Sequence, residues 1–187
     1  MTVPLYRWED SALRAAFSQP EAQYAQFKLY AESGAQRRHA DGMTRLDWLA
    51  QHGMVRQALE RELLRDQCQI LLLWYGNDEL QAQRAGARLR MADLLQSEMP
   101  SCSLLFLFCH VVPSWCGNVP RGQLQEWHER TGVPYKTLAK QRVRAKCLLN
   151  QWLDDARYRA NWVMVQRGWL QSDDDDGDVG ALAGWFV

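Results

Sequence analysis

Between Tyr135 and Arg167 the chain contains neither glycine nor proline, and the residues just before this stretch, Gly132 and Pro134, are two of the strongest helix punctuators. Such a run permits a long helix whose start is sharply set. Upstream, Leu124, Trp127 and, less cleanly, His128 give the segment before Gly132 an inward face, so the whole reads as helix, glycine turn, helix. Glycine supplies a turn residue with no steric penalty at positive φ. Proline fits a helix's first turn, where its missing N–H costs nothing. This is the grammar of a helix-turn-helix that reads DNA.

At about 100° per residue, Leu138, Ala145, Leu149, Trp152 and Ala156 fall on one stripe of the second helix. Lys136, Lys140 and Arg144 line the opposite side, with Thr137 and Gln141 on its flank and Arg142 closer to the buried stripe. A helix packed by the first stripe would present the second to a major groove, with cations toward phosphates and polar side chains toward base edges. Thr137 and Gln141 are the expected base readers, with Tyr135 at the groove margin. Lys136, Lys140, Arg144 and Lys146 are expected to neutralise phosphates.

Charge distribution favours this over a merely solvated helix. The chain is neutral, with 22 basic and 22 acidic side chains. Residues 1–118 nevertheless sum to −1, residues 119–170 to +6 and the remaining tail to −5. No acidic residue lies between Arg130 and Gln151, where five Lys or Arg occur. Local positive potential of that kind attracts phosphate even on a protein of zero net charge.

The rest of the sequence predicts an all-α protein. With 47% hydrophobic residues and nine Trp, 187 residues suffice for one sizeable core or two small helical lobes. A short helix is expected from Trp8 to Phe17, and another from Pro20 on the spacing of Tyr24, Phe27 and Ala31. A loop carrying Arg37, Arg38 and His39 follows. Thr44 and Asp47 resemble a capping box. They open a second helix-Gly-helix corner, turning at Gly53, with Trp48 and Leu49 inward. Val55, Leu59, Leu63, Ile70 and Trp74 then form one apolar stripe ending near Gly76.

Asp78 can cap a helix carrying Arg84, Arg88 and Arg90, and Pro100 marks its end. The run from Ser103 to Val112 is apolar on every side and suits a buried central helix, although periodicity alone does not separate it from a strand. Pro113, Gly117, Asn118 and Pro120 mark a hinge. Four regions result: 1–43 with N-terminal helices and a basic loop, 44–112 as central core, 119–170 as the basic DNA-binding region, and 171–187 as an acidic and aromatic tail. Asp173 to Asp176 read as a solvated linker or as a shield over the basic face. Arg37, Arg38, Arg56, Arg61, Arg84 and Arg88 are secondary candidates for contact with nucleic acid or a protein partner.

Chemistry-bearing clusters are sparse. Cys102, Cys109, His110 and Cys116 have zinc-ligand chemistry, but their C-x6-C-H-x5-C spacing is not that of paired knuckles, and buried thiols are the expectation. No phosphate-cradling loop, nucleophile elbow or paired-carboxylate site stands out. Neither an enzyme nor a cofactor or metal is therefore expected. Five Cys without a framework point to a reducing compartment, and the N-terminus lacks a signal peptide's layout, so a cytoplasmic, non-membrane protein is expected.

The segments DWLAQHGMVRQALERELLRDQCQILLLWYG and EWHERTGVPYKTLAKQRVRAKCLLNQWL resemble phage-type transcription regulators, particularly the Q-type late-gene antitermination proteins. In some of these a central helix ending in an aromatic-Tyr-Gly sequence, here Trp74, Tyr75 and Gly76, precedes a C-terminal basic helix, here Lys136 to Trp152. The resemblance implies a protein that binds double-stranded DNA near a promoter, engages paused RNA polymerase and travels with it past terminators. Some members carry a close-spaced zinc-binding Cys cluster; this chain does not reproduce that spacing. His128 also stands where such proteins usually place a small residue.

Overall fold

The computed structural model describes residues 6, 9–18, 45–77, 80–117 and 123–170. Among them it is all-helical, with seven helices: α1 (Glu9–Phe17), α2 (Arg45–Glu62), α3 (Arg65–Tyr75), α4 (Gln81–Glu98), α5, α6 (Gln123–Thr131) and α7 (Tyr135–Gln166). Helix α5 runs through Leu104–Phe106, a π-helical turn at Leu107–Val111, and Val112–Trp115. The expected helix from Pro20, the Arg37/Arg38/His39 loop, the caps at Thr44 and Asp78, the Asn118–Pro120 part of the hinge and the tail from 171 lie outside the described residues, as does the side chain of Trp48.

Helix α3 is the hub. Ile70, Leu71, Leu72, Leu73 and Tyr75 are all buried, so α3 is covered on nearly every side, by α1, α2, α4 and α7. Helix α5 lies across α4 and α7 and buries Phe106, Leu107, Val111, Val112 and Trp115. The apolar run from Ser103 is thus helical, with Leu105 and Cys109 on its exposed side. Its π turn has a local cause. Pro113 offers no N–H to the Cys109 carbonyl, and its ring crowds that oxygen, so the helix widens there instead of breaking.

Two expectations about α2 and α3 are corrected. Gly53 does not turn the chain: α2 continues through it, and the buried positions Leu49, Val55, Ala58 and Leu59 keep one helical phase across the glycine. Glycine costs a helix about 1 kcal/mol relative to alanine, less than these buried side chains return. The break falls instead at Leu63 and Leu64, where nothing in the sequence marks it. Leu64 is extended (φ −64°, ψ 149°), and its N–H donates to Gln67 Oε1 at 3.0 Å. That break shifts the phase of α3. Trp74, expected inward with Ile70, is 43% exposed.

Helix α7 spans 32 residues, about 48 Å. It ends at Gln166, and Gly168 (φ +69°) turns the chain, after which the Trp169 carbonyl accepts a backbone hydrogen bond from Tyr6 at 2.9 Å. Leu124 and Trp127 of α6 and Leu138 of α7 belong to the same apolar core as α3 and α5.

Candidate nucleic-acid interface

The α6–α7 corner is held by short-range bonds that its sequence specifies. Gly132 takes φ +69°, and its N–H donates to the His128 carbonyl at 2.9 Å, closing α6. Thr131 Oγ1 donates to the Trp127 carbonyl at 2.6 Å. His128 Nδ1 lies 2.8 Å from the Val133 carbonyl, and because a carbonyl only accepts, Nδ1 carries the proton. A side chain larger than the corner was expected to hold is thus the tie across the turn. Pro134 is the N-cap (φ −55°, ψ 134°), one residue before the helix, and its carbonyl accepts from Thr137 and Leu138. Trp127 anchors the corner beneath, edge-on to Phe106 with ring centroids 5.4 Å apart.

From this anchored start α7 sorts its side chains by face. Leu138, Ala145, Leu149 and Ala156 are buried and Trp152 is half-buried, the stripe expected from the helical period. Tyr135, Lys136, Thr137, Lys140 and Arg144 are exposed together, and Val143 and Cys147 complete the outer surface. Lys136 and Arg144 are eight positions apart, about 12 Å along the axis, comparable to the width of a B-form major groove. The first turn of α7 has no acidic residue, so the positive end of its macrodipole adds to the lysines.

Other expected contacts lie elsewhere. Lys146 turns back into the protein: its Nζ donates to the Ser114 carbonyl at 2.9 Å, and burial, with Arg142 nearby, holds its pKa below the ordinary lysine value. Gln141 is half-buried, with Nε2 3.4 Å from the Ser101 carbonyl. Lys146 thus binds the last turn of α5 and Gln141 the turn that precedes α5, so neither points freely outward with Lys140. Arg56 was expected to face outward but is buried; it donates to Glu60 at 2.8 Å and to Gln83 at 3.4 Å. Arg84 and Arg88 are half-buried, Arg84 donating to the Leu73 carbonyl at 3.3 Å and Arg88 lying 5.9 Å from the Phe108 ring centre. Arg61 is exposed, and Arg37 and Arg38 fall outside the described residues.

The four zinc-type donors are dispersed in environment. Cys102 is buried, Cys109 exposed and Cys116 half-buried, and His110 stacks on Phe106 with centroids 5.2 Å apart. Among the described residues no group of three or more His, Cys, Asp or Glu is placed to hold a metal ion. Nor is any helix there long and apolar enough to cross a membrane.

One arrangement had no signal in the sequence. Trp74 and Trp115, far apart in the chain, meet at 4.8 Å between ring centroids, and Trp115 Nε1–H donates to Asn150 on α7 at 2.7 Å. No family model, curated protein or solved structure matches the chain.

Proposed function

We propose that the protein is a sequence-specific DNA-binding regulator of transcription, with the outer face at the start of α7 set in the major groove. The observation that carries this reading is the joint exposure of Lys136, Lys140 and Arg144 on one stripe of a helix whose other stripe is buried. Thr137 is the exposed polar group best placed to meet base edges, with Tyr135 at the margin. Gln141 reaches bases only by exchanging its long bond to Ser101. Antitermination with RNA polymerase as partner is the mode implied by the resemblance to the Q-type proteins.

Binding to duplex DNA, followed by fluorescence anisotropy over a range of salt, tests this reading. The Lys136→Ala/Lys140→Ala/Arg144→Ala protein should lose most of its affinity, and its salt slope should fall by about 0.9 for each phosphate it no longer neutralises. Equal binding by wild type and this variant would sink the assignment. Transcription in vitro then separates modes: an antiterminator lengthens transcripts while the initiation rate stays constant.

A second reading, a protein-binding adaptor or inhibitor, draws on Tyr158 and Trp162. They are 76% and 47% exposed, one turn apart on the far half of α7. Aromatic side chains of this kind anchor protein interfaces. Recovery of a protein partner, together with flat DNA titrations at low salt, would favour it.

A further inference from the structure

We infer that Trp74, backed by Trp115 and ringed by Arg84, Arg88 and Lys146, is a stacking platform for single-stranded nucleic acid, separate from the outer face of α7.

The platform is assembled by the ends of three helices. Trp74 stands near the end of α3 and meets Trp115, at the end of α5, with the two ring planes tilted 43° to one another. Trp115 is buried and its indole N–H is fixed by Asn150, so Trp74 packs against a fixed neighbour. The cations arrive from two sides. Arg84 of α4 donates to the carbonyl of Leu73, the residue before Trp74. Lys146 of α7 donates to the carbonyl of Ser114, the residue before Trp115. Arg88, one turn along from Arg84, lies against the Phe108 ring. All three also act electrostatically on Cys116, the residue after Trp115.

Each part has a modest structural role, since cations near helix C-termini satisfy carbonyls and oppose the helix dipole. Those roles do not require a tryptophan at position 74, whose side chain adds exposed apolar surface beside three charges. A single strand uses both features at once. Every unpaired base offers a π-face to an indole, and every linkage offers a phosphate to a cation. A duplex offers the phosphates but keeps base faces inside its stack.

Anisotropy of fluorescein-labelled oligo-dT and oligo-U, about a dozen nucleotides long to match common site sizes, tests this on the full chain. Wild type should bind at low salt. Trp74→Ala should weaken binding about tenfold or more, the loss of one stacked base. Trp74→Phe should retain most of the affinity, and Arg88→Gln should lower the salt slope by about 0.7, the single-strand value per phosphate. Circular dichroism and urea midpoints confirm that each variant is folded. In the Lys136/Lys140/Arg144 triple-variant background Trp74→Ala should weaken single-strand binding by the same factor as in wild type, the additivity expected of separate surfaces. Preference for dT or for U assigns the natural ligand to DNA or RNA. Absent homopolymer binding, as expected if the face serves a protein, overturns the platform, as does a folded Trp74→Ala protein that binds as well as wild type. Duplex binding that persists in either case leaves the transcriptional reading standing.

Discussion

Arg157 on α7 reaches Asp10 on α1 at 3.1 Å, and the Tyr75 hydroxyl of α3 donates to the same carboxylate oxygen at 2.7 Å. Arg157 also binds Glu9 at 3.1 Å. One carboxylate thereby links three helices that are distant in sequence. Charge-assisted bonds are worth about 1.5 to 3 kcal/mol, reduced here because Arg157 and Asp10 are partly solvated. Asp10→Ala should destabilise the fold by about 1 to 2 kcal/mol in urea denaturation. A loss below about 0.3 kcal/mol would show that water replaces the network without cost.

Gly132 and Gly86 should respond to alanine with opposite signs. A Cβ at either position meets nothing within 4 Å, so sterics with neighbours decide neither case. Gly132 sits at φ +69°, where an L side chain costs about 1 to 2 kcal/mol, so Gly132→Ala should be destabilising. Gly86 lies inside α4, where alanine gains about 0.5 to 1 kcal/mol. Thermal midpoints of the two variants provide the check, and a shift in the same direction would contradict the contrast.

Alkaline stability should fall from about pH 9 upward. Burial pushes the Cys68 thiol up to about 11 from its ordinary 9.0, and burial with the bond to Asp10 pushes the Tyr75 phenol up as well. Both groups have raised folded-state values. Their contribution is therefore complete below the unfolded values and is lost as pH rises toward the folded ones. Urea midpoints measured from about pH 8 to 11 should decline for wild type and decline less steeply for the Cys68→Ala/Tyr75→Phe protein. Parallel curves would exclude these groups as the cause.

Thiol reactivity should divide the cysteines. Cys109 and Cys147 are exposed, whereas Cys102 is buried and its thiol is held protonated by that burial. At about pH 8 iodoacetamide should label Cys109 and Cys147 first, as read by peptide mass spectrometry, and Cys102 only at the rate of unfolding. Early labelling of Cys102 would mean that the α4–α5 junction opens readily.

The elements most legible in the sequence are those bounded by local chemistry. Helix α7 is readable because its buried stripe repeats at helical spacing and no breaker interrupts it before Gly168, and the α6–α7 corner because Gly132 and Pro134 act on the backbone directly. What escapes depends on distant residues. The Leu63–Leu64 break contains no glycine or proline and is stabilised through Gln67, whose amide also donates to Asp155 on α7 at 2.8 Å. A helical wheel places Lys146 and Gln141 toward the flanks of the basic stripe, but it does not show that the last turn of α5 and the turn before α5 stand opposite with the carbonyls of Ser114 and Ser101. Arg56 is hidden for the same reason: its partner Gln83 lies on α4. Periodicity assigns an angle around a helix, and tertiary packing decides what occupies it.

The length of α7 is also a ruler. Lys140 lies 26 positions before Gln166, about 39 Å along the axis. Tyr158 and Trp162, the exposed aromatics of its far half, stand 18 and 22 positions beyond Lys140, about 27 and 33 Å along the axis. A partner seated on that pair would therefore stand clear of one seated on the basic face, so the two surfaces could be occupied at once.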